Sequence, residues 1–269
     1  EPCHIPPYRI SKKIKTVVTI HDLTPILFPK FHTLRGKLIH RLFLRRIIKN
    51  ADLILTPSKT TRSDIKSRYK TNAKFAITSL GAEPPAKNPL KPKFSEPYLL
   101  FVGTLEPRKN LELLIDAFLE LKQEHHIRQK LVLAGEIGWK SKSLIRKAKH
   151  KDIIITGHIT EREKSGYYQN ADAFIYPSIY EGFGLPPLEA MLHKTPVICS
   201  TGGSLKEIFA KHALTFKPSD KEALKKHIYS LIKFPHKRQP LIKNGYAFAK
   251  EFTWQRTAKE TLKAFENLI

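Results

Sequence analysis

The sequence predicts an α/β protein made of two parallel-sheet units separated by a proline-rich connector. Three observations predict it. Short β-branched runs alternate with amphipathic helical stretches almost throughout the 269 residues. Most of those runs are continuously apolar, which calls for cover on both faces, the condition of a parallel sheet flanked by helices. The alternation breaks once, at Ala82 to Pro97, where five prolines in sixteen residues preclude regular structure.

In chain order the strand candidates are Thr16–Ile20, Asp52–Ser58, Lys74–Gly81, Tyr98–Thr104, Lys130–Glu136, Asp152–Gly157, Ala173–Ser178 and Pro196–Ser200. Three precede the connector, so residues 1–81 read as an N-terminal Rossmann-like unit that looks incomplete. Residues 82–97 read as a linker, 98–252 as a complete domain and 253–269 as a C-terminal helix. The first residues, "EPCHIPPYRI", carry neither an initiator Met nor a signal-peptide apolar region and read as a cut end or an internal start.

Three helices have a face that can be assigned. "NLELLIDAFLELKQEH" offers Asn110 as N-cap, with Leu111, Leu114, Ile115, Phe118 and Leu121 on one side. "LRGKLIHRLFLRRIIKN" sets Leu34, Leu38, Leu42, Ile39 and Phe43 against Arg41, Arg45 and Lys49. It is either a crossover helix with a solvated basic face or a helix able to lie on anionic lipid. In "TWQRTAKETLKAFENLI", Thr253 is available as cap, and the stripe Trp254, Ala258, Leu262 and Phe265 reads as core rather than a cofactor contact.

Lys and Arg total 48 against 24 Asp and Glu, a formal net charge of +24. Such a balance favours phosphorylated small molecules, anionic lipid or nucleic acid. Nucleic acid is the weakest of these, because no zinc-finger or RNP pattern occurs and the basic residues are dispersed. Cys3 and Cys199 are too few for a disulfide framework or a thiolate metal site, which fits a reducing, cytoplasmic compartment. No run of about 18 apolar residues occurs, the length needed to span a bilayer. The sequence contains no Asp-x-Asp and no His/Glu pair at zinc-site spacing, so no metal and no cofactor is implied.

The segment "EGFGLPPLE" carries the chemistry. Gly182 and Gly184 favour loop conformations, and Pro186 and Pro187 are tolerated only at the first turn of a helix. The segment therefore reads as a strand–loop–helix junction, with the helix starting near Pro187 and Glu189 in its first turn. Amide groups of Gly184 and Leu185 then sit at the carboxyl end of a parallel strand, where α/β sheets bind phosphate. Acids beside a phosphate make sense if each takes hydroxyl hydrogens from a diol, as ribose and hexoses present. Glu181 as a solvated loop residue and Glu189 as a helix-dipole residue is the structural alternative.

Four ordered stretches, "FVGTLEPRKNLELLIDAF", "LVLAGEIGW", "ITGHI" and "NADAFIYPSIYEGFGLPPLEAMLHKTPVICSTGGSLKEI", together resemble the donor domain of retaining glycosyltransferases of family four. "VVTIHDLTP" and "ADLILTPSKTTRSDI" resemble its acceptor-domain segments, so the likeness covers nearly the whole chain. It implies the GT-B fold, two Rossmann-like domains facing a cleft, and transfer of a sugar from a nucleotide-diphosphate donor to a carbohydrate or lipid-linked acceptor, with retention and without metal. It implies further that Glu181 lies near the transferred sugar, that Glu189 holds the ribose, and that Phe183, Gly184 and Leu185 meet the diphosphate. Arg108 and Lys109 would stabilise the leaving group, Arg108 standing in for the Arg that many members carry where Thr104 follows Gly103. Gly103 and Gly135 would lie at the donor-side strand ends, Gly157, His158 and Ile159 would meet the base, and His21 the donor sugar. The "GTLEPRKN" form hints at mannose. Cell-envelope polysaccharide or glycolipid synthesis on the inner membrane face is the setting it suggests. An epimerase or hydrolase of the same fold, or a non-catalytic nucleotide-sugar binder, is the competing reading.

Overall fold

The computed structural model describes residues 14–268. The stretch Glu1 to Ile10, with Cys3, lies outside them, as do the side chains of Ile39 and Arg41. The chain divides into two compact units. One is drawn from Glu1–Gly81, Glu181–Phe183 and Phe252–Ile269, the other from Ala82–Tyr180 and Gly184–Glu251.

The first unit holds a parallel sheet of β1 (Val17–Thr19), β2 (Leu53–Thr56) and β3 (Lys74–Ile77), in that order. After a short helix α1 (Thr24–Leu27), the crossover helix α2 (Leu34–Asn50) leads into β2, and α3 (Lys59–Arg68) into β3. Ser58 caps α3, its Oγ accepting from the Thr61 amide at 3.1 Å.

The buried face of α2 differs from the sequence expectation. Leu44, Ile47 and Ile48, with Ala51 just beyond, are buried, and Leu44, Ile48 and Ala51 belong to a cluster that includes Ile20, Leu23, Ile54 and Ile65. Leu34, Leu38, Leu42 and Phe43 are exposed, Leu34 by 82%. The sequence carries two apolar stripes on this helix, and the i, i+3, i+4, i+7 series beginning at Leu44 is the one that reaches the sheet.

The second unit is a six-stranded parallel sheet of β4 (Tyr98–Val102), β5 (Lys130–Ala134), β6 (Ile153–Gly157), β7 (Ala173–Tyr176), β8 (Val197–Ser200) and β9 (Leu214–Phe216). Its order is β6-β5-β4-β7-β8-β9, the doubly wound arrangement that reverses between β4 and β7. β4, β7 and β8 are buried along their whole length, as continuous apolar runs require. The helices of this unit are α4 (Leu111–His125), α5 (Lys142–Lys147), α6 (Glu161–Asn170), α7 (Leu185–Leu192), α8 (Ser204–Phe209), α9 (Lys221–Lys233) and α10 (Arg238–Ala249). The predicted face of α4 is buried at all five positions. Lys225 of α9 ties the exposed margins of α4 and α9 together through Glu120 and Glu124, at 3.0 and 2.7 Å.

Residues 82–97 contain no helix or strand, as their prolines dictate, yet they are strapped to α6. The Leu90 amide donates to Arg162 O at 3.0 Å and the Ala86 amide to Ser165 Oγ at 2.9 Å. A Cβ at Gly166 would stand 1.8 Å from Leu90 O, so the strap depends on that glycine.

The last helix, α11 (Trp254–Glu266), belongs to the first unit. Thr253 caps it as expected, accepting from the Arg256 amide at 3.2 Å. Its stripe is not core. Trp254, Leu262 and Phe265 are 45%, 59% and 41% exposed, and Ala258 is exposed as well. The face that packs carries Thr257, Glu260 and Ala264 instead. Thr257 Oγ1 donates to Ser79 O at 2.6 Å, Glu260 Oε2 accepts from the Ser79 amide at 2.8 Å, and Ala264 meets Leu53 and Leu55. Small and hydrogen-bonding side chains let the helix approach the end of β3 closely, which a bulky apolar stripe would prevent.

Candidate functional site

In an open doubly wound sheet, ligands bind outside the carboxyl ends of the strands where the order reverses. Here that point lies between β4 and β7, whose following loops are residues 103–110 and 177–184. These loops carry Arg108, Lys109 and part of the "EGFGLPPLE" segment.

They are bonded to each other within the second unit. The Ile179 amide donates to Arg108 O at 2.9 Å, and Asn110 Nδ2 donates to Pro177 O at 3.2 Å and to Pro218 O at 2.8 Å. Asn110 occupies the N-cap position of α4 but makes no side-chain cap. Its left-handed backbone, at φ +58°, turns the amide away from the helix and into the neighbouring loops. Arg108 donates through Nη1 to Tyr180 O at 3.0 Å and through Nη2 to Glu106 Oε1 at 2.7 Å. The guanidinium thus clamps the carbonyl immediately before Glu181. Lys109 is buried, its ammonium 2.8 Å from the Tyr176 hydroxyl and 5.0 Å from the centre of that ring.

Gly103, Gly135 and Gly157 close β4, β5 and β6 with φ of +143°, +141° and +71°. Main-chain bonds join them, Gly103 N to Ala134 O at 2.9 Å and Gly135 N to Gly157 O at 3.1 Å. The result is a side-chain-free ledge at the carboxyl edge of the sheet. A Cβ on Gly135 would lie 2.2 Å from Gly103 O, whereas one on Gly157 would meet nothing within 4 Å. Gly135→Ala should therefore lower the urea midpoint by the equivalent of about 2–4 kcal/mol, combining a clash with a disfavoured backbone. Gly157→Ala should cost about 1 kcal/mol; equal losses for the two would contradict the ledge geometry. His158 and Ile159 follow, the first exposed with Nδ1 3.5 Å from an equally exposed Glu136 carboxylate, the second half-buried.

Helix α7 begins at Leu185, two residues earlier than expected, with Gly184 as its left-handed N-cap at φ +110°. Pro186 and Pro187 fit because amides in the first turn lack helical partners anyway. Glu189 consequently lies beyond the first turn, one turn along the helix. Its Oε1 accepts from Lys164 Nζ and its Oε2 from the Tyr168 hydroxyl, both at 3.0 Å. Burial pulls the Lys164 ammonium down, but Glu189 and Glu161 outweigh it and the net direction is up. The Tyr168 hydroxyl is held well above its ordinary value, first by complete burial and then by the Glu189 charge. Neither Lys164 nor Tyr168 was singled out from the sequence. They lie 25 and 21 residues before Glu189 on another helix, and no local pattern records the pairing.

His193 holds the main chain of the same residue. Its Nδ1 lies 2.7 Å from Glu189 O and its Nε2 2.9 Å from Ser165 Oγ. The neutral tautomer with the proton on Nδ1 satisfies both contacts. Burial pushes the imidazole below its ordinary value of 6.5, against the carbonyl and carboxylate of Glu189, which raise it. A histidine whose folded value lies below its unfolded one contributes stability in full above about pH 6.5 and loses it as pH falls towards the folded value. The urea midpoint should drop between pH 7.5 and 5.5, and the drop should be smaller in His193→Gln. Parallel profiles in the two proteins would exclude His193 as the source.

In the first unit, His21 follows β1 and is exposed, while the segment Glu181–Phe183 packs beside it. A Cβ on Gly182 would stand 2.0 Å from His21 O, and Thr61 Oγ1 bridges His21 O and Gly182 O at 3.2 and 3.4 Å. Glu181 is buried, and Phe183 is buried edge-on to Phe252 with centroids 5.9 Å apart. Four groups of the expected residues are thus assembled: His21 with Glu181–Phe183, Arg108 and Lys109 with the loop after β7, the three glycines of the ledge, and Glu189 with its two unforeseen partners. Among the described residues, no group of three or more His, Cys, Asp or Glu is placed to hold a metal ion.

Comparison with known proteins meets these features from outside. The family described as Glycosyl transferases group 1 matches residues 84–248, and Glycosyltransferase Family 4 matches residues 3–83. O-antigen chain mannosyltransferase B of Escherichia coli is 31% identical over 97% of this chain and 72% of its own length. The serotype-specific mannosyltransferase WbdA of Escherichia coli is 28% identical over 95% of the chain, which spans only 34% of that protein. Among solved structures, sucrose-phosphate synthase from Thermosynechococcus elongatus superimposes with a TM-score of 0.78 at 23% identity, over 94% of this chain and 67% of that one. Anabaena HepE in complex with UDP-glucose superimposes with 0.76 at 17% identity, over 95% and 72%. The parallel sheets, the reversal point and the matched family together establish that this chain is a GT-B glycosyltransferase belonging to the Glycosyl transferases group 1 family.

Proposed function

We propose that the chain transfers a sugar, mannose being favoured, from a nucleoside-diphosphate donor to an acceptor hydroxyl in polysaccharide or glycolipid synthesis, with retention at the anomeric carbon. The observation that carries this reading is Glu189. Its two carboxylate oxygens each accept one hydrogen bond, from Lys164 and Tyr168, and a carboxylate has further lone pairs with which to accept from a ribose diol. Mannose is favoured because O-antigen chain mannosyltransferase B, WbdA and the Salmonella typhimurium O-antigen mannosyltransferase RfbU all carry that activity in their names. The nucleotide is open: HepE was solved with UDP-glucose, a different donor.

In this reading the amides of Phe183, Gly184 and Leu185 receive the diphosphate, and Gly157, His158 and Ile159 the base. Lys109 and Arg108 meet the charge that develops on the β-phosphate as the glycosidic bond breaks. Glu181 and His21 address the sugar. The departing phosphate oxygen takes the acceptor proton on the face it leaves, which retains configuration. No metal takes part, so EDTA should leave turnover unchanged; activity lost to EDTA and restored by Mn²⁺ would overturn this part of the proposal.

The test is a thermal-shift screen of UDP-, GDP- and ADP-sugars, since a ligand that binds the native state raises the midpoint. Product from the donor that binds is then assigned by NMR. Retention is expected, and an inverted anomer would rule out the same-face route. Free sugar or an epimerised donor, formed without any acceptor, would favour the hydrolase or epimerase reading.

An anionic membrane surface is proposed as a further partner, on the exposed Leu34, Leu38 and Leu42 of α2 together with the exposed Arg45 and Lys49. No helix among the described residues is long and apolar enough to cross a membrane. Vesicle co-sedimentation indifferent to anionic lipid content would remove this partner.

A further inference from the structure

Beside the segment that follows β5, the second unit holds a cavity of about 570 Å³ that plays no part in the site above. Its lining includes Ile137, Lys140, Lys142, Ile145, Arg146 and Lys149. The last four are spaced i, i+3, i+4, i+7 and share the face of α5 and its continuation. On the opposite face, Leu144 and Ala148 are buried.

The treatment of charge on this short helix is uneven. Lys147, between the two faces, is matched by Asp116 at 2.7 Å. Lys142, Arg146 and Lys149 pair with no carboxylate among the described residues. Like charges one turn apart repel, and concave walls concentrate their potential. All three are exposed, and all three border the same hollow, where an entering anion would offset their mutual repulsion.

The hollow is also fixed in shape. The Gly138 amide donates to Leu105 O at 3.0 Å and Ser141 Oγ to the same carbonyl at 2.5 Å. A side chain at Gly138 would stand 2.8 Å from Thr104 Cγ2. Its rim is apolar and wet: Ile137 is 57% exposed and Trp139, the residue after Gly138, is 40% exposed.

We propose that this cavity is a second anion site, taking a phosphate mono- or diester attached to an apolar group. The phosphate oxygens are met by Lys142, Arg146 and Lys149, and the apolar portion by Ile137 and Ile145. A soluble phosphorylated metabolite and a phospholipid headgroup share this chemistry, and the experiment separates them.

The folded full chain, labelled with ¹⁵N, is titrated with n-hexyl phosphate and, separately, assayed for binding to phosphatidylglycerol and phosphatidylcholine vesicles. Amide shifts confined to 137–149 with hexyl phosphate, and no preference for phosphatidylglycerol, assign a soluble ligand. Binding to phosphatidylglycerol alone that Ile137→Ser weakens assigns a headgroup. In either case the triple variant K142E/R146E/K149E should weaken binding at least tenfold, while K211E/K226E/K233E, an equal charge change elsewhere on the same unit, should not. The proposal is overturned if neither probe binds, if the shifts fall outside the segment, or if both triple variants weaken binding equally. Because none of these residues belongs to the donor loops, K142E/R146E/K149E should keep the wild-type nucleotide-sugar thermal shift, so failure here and failure of the donor assignment are distinguishable.

Discussion

Glu189→Ala should abolish the thermal shift produced by the donor and lower kcat/KM by about 10²-fold or more. A hydrogen bond to a charged acceptor contributes roughly 1.5–3 kcal/mol. Losing two from a ribose diol therefore removes about 3–6 kcal/mol, and each 1.4 kcal/mol is a tenfold change in affinity. The substitution also strips the fully buried Tyr168 hydroxyl of its 3.0 Å acceptor, leaving only the longer 3.4 Å contact to Pro186 O, and leaves Lys164 with Glu161 alone. Some stability is lost with it, roughly 1–3 kcal/mol for an unsatisfied buried group. Glu189→Gln separates the two effects, since it keeps the shape and an acceptor oxygen while removing the charge that Lys164 uses and that the proposed ribose contact requires. A raised donor KM with a near-native midpoint is the expected result. If Glu189→Gln binds donor like wild type while Glu189→Ala merely melts earlier, the carboxylate is an internal strut between α6 and α7 and the ribose assignment is wrong.

The features that came straight from the sequence are those written in consecutive residues. All eight strand candidates contain strands, because parallel strands buried on both faces leave uninterrupted apolar runs. β9 was missed: at three residues, with only Phe216 buried, it leaves no such run. The loop after β7 was legible because glycine admits backbone conformations closed to other residues while proline fixes φ, and the helix start was misjudged by two residues because proline is accepted anywhere in a first turn. What could not be read was choice between equivalent patterns and contact at a distance. α2 carries two apolar stripes and α11 carries one that its host sheet does not use; only the packed partner decides. The pairs Lys164–Glu189 and Tyr168–Glu189 cross between helices and leave no spacing to detect. Glu106 is different. In "EPRK" the proline turns the chain so that Glu106 and Arg108 face each other at 2.7 Å, and that local signal was available.

That ion pair gives Arg108 two duties, which its replacement should expose. Arg108→Ala leaves the Glu106 carboxylate, a residue only 3% exposed whose second oxygen already lacks a partner, as an uncompensated buried charge. Breaking a buried pair by removing one member costs about 3–5 kcal/mol, or roughly 5–9 °C in melting temperature for a chain of this size. It also releases the Tyr180 carbonyl, and with it the register of the residue before Glu181. Turnover should fall by about 10²–10³, the loss typical of removing one fixed donor from developing negative charge. The double variant Glu106→Gln/Arg108→Ala removes the orphaned charge and should recover most of the melting temperature while leaving turnover low. Lys109→Met, which keeps the packing over Tyr176 but not the ammonium, should reduce kcat by a similar factor with a smaller loss of stability. Recovery of activity together with stability in the double variant would mean that Arg108 acts only as the clamp between the loops after β4 and β7, and that Lys109 alone meets the leaving phosphate.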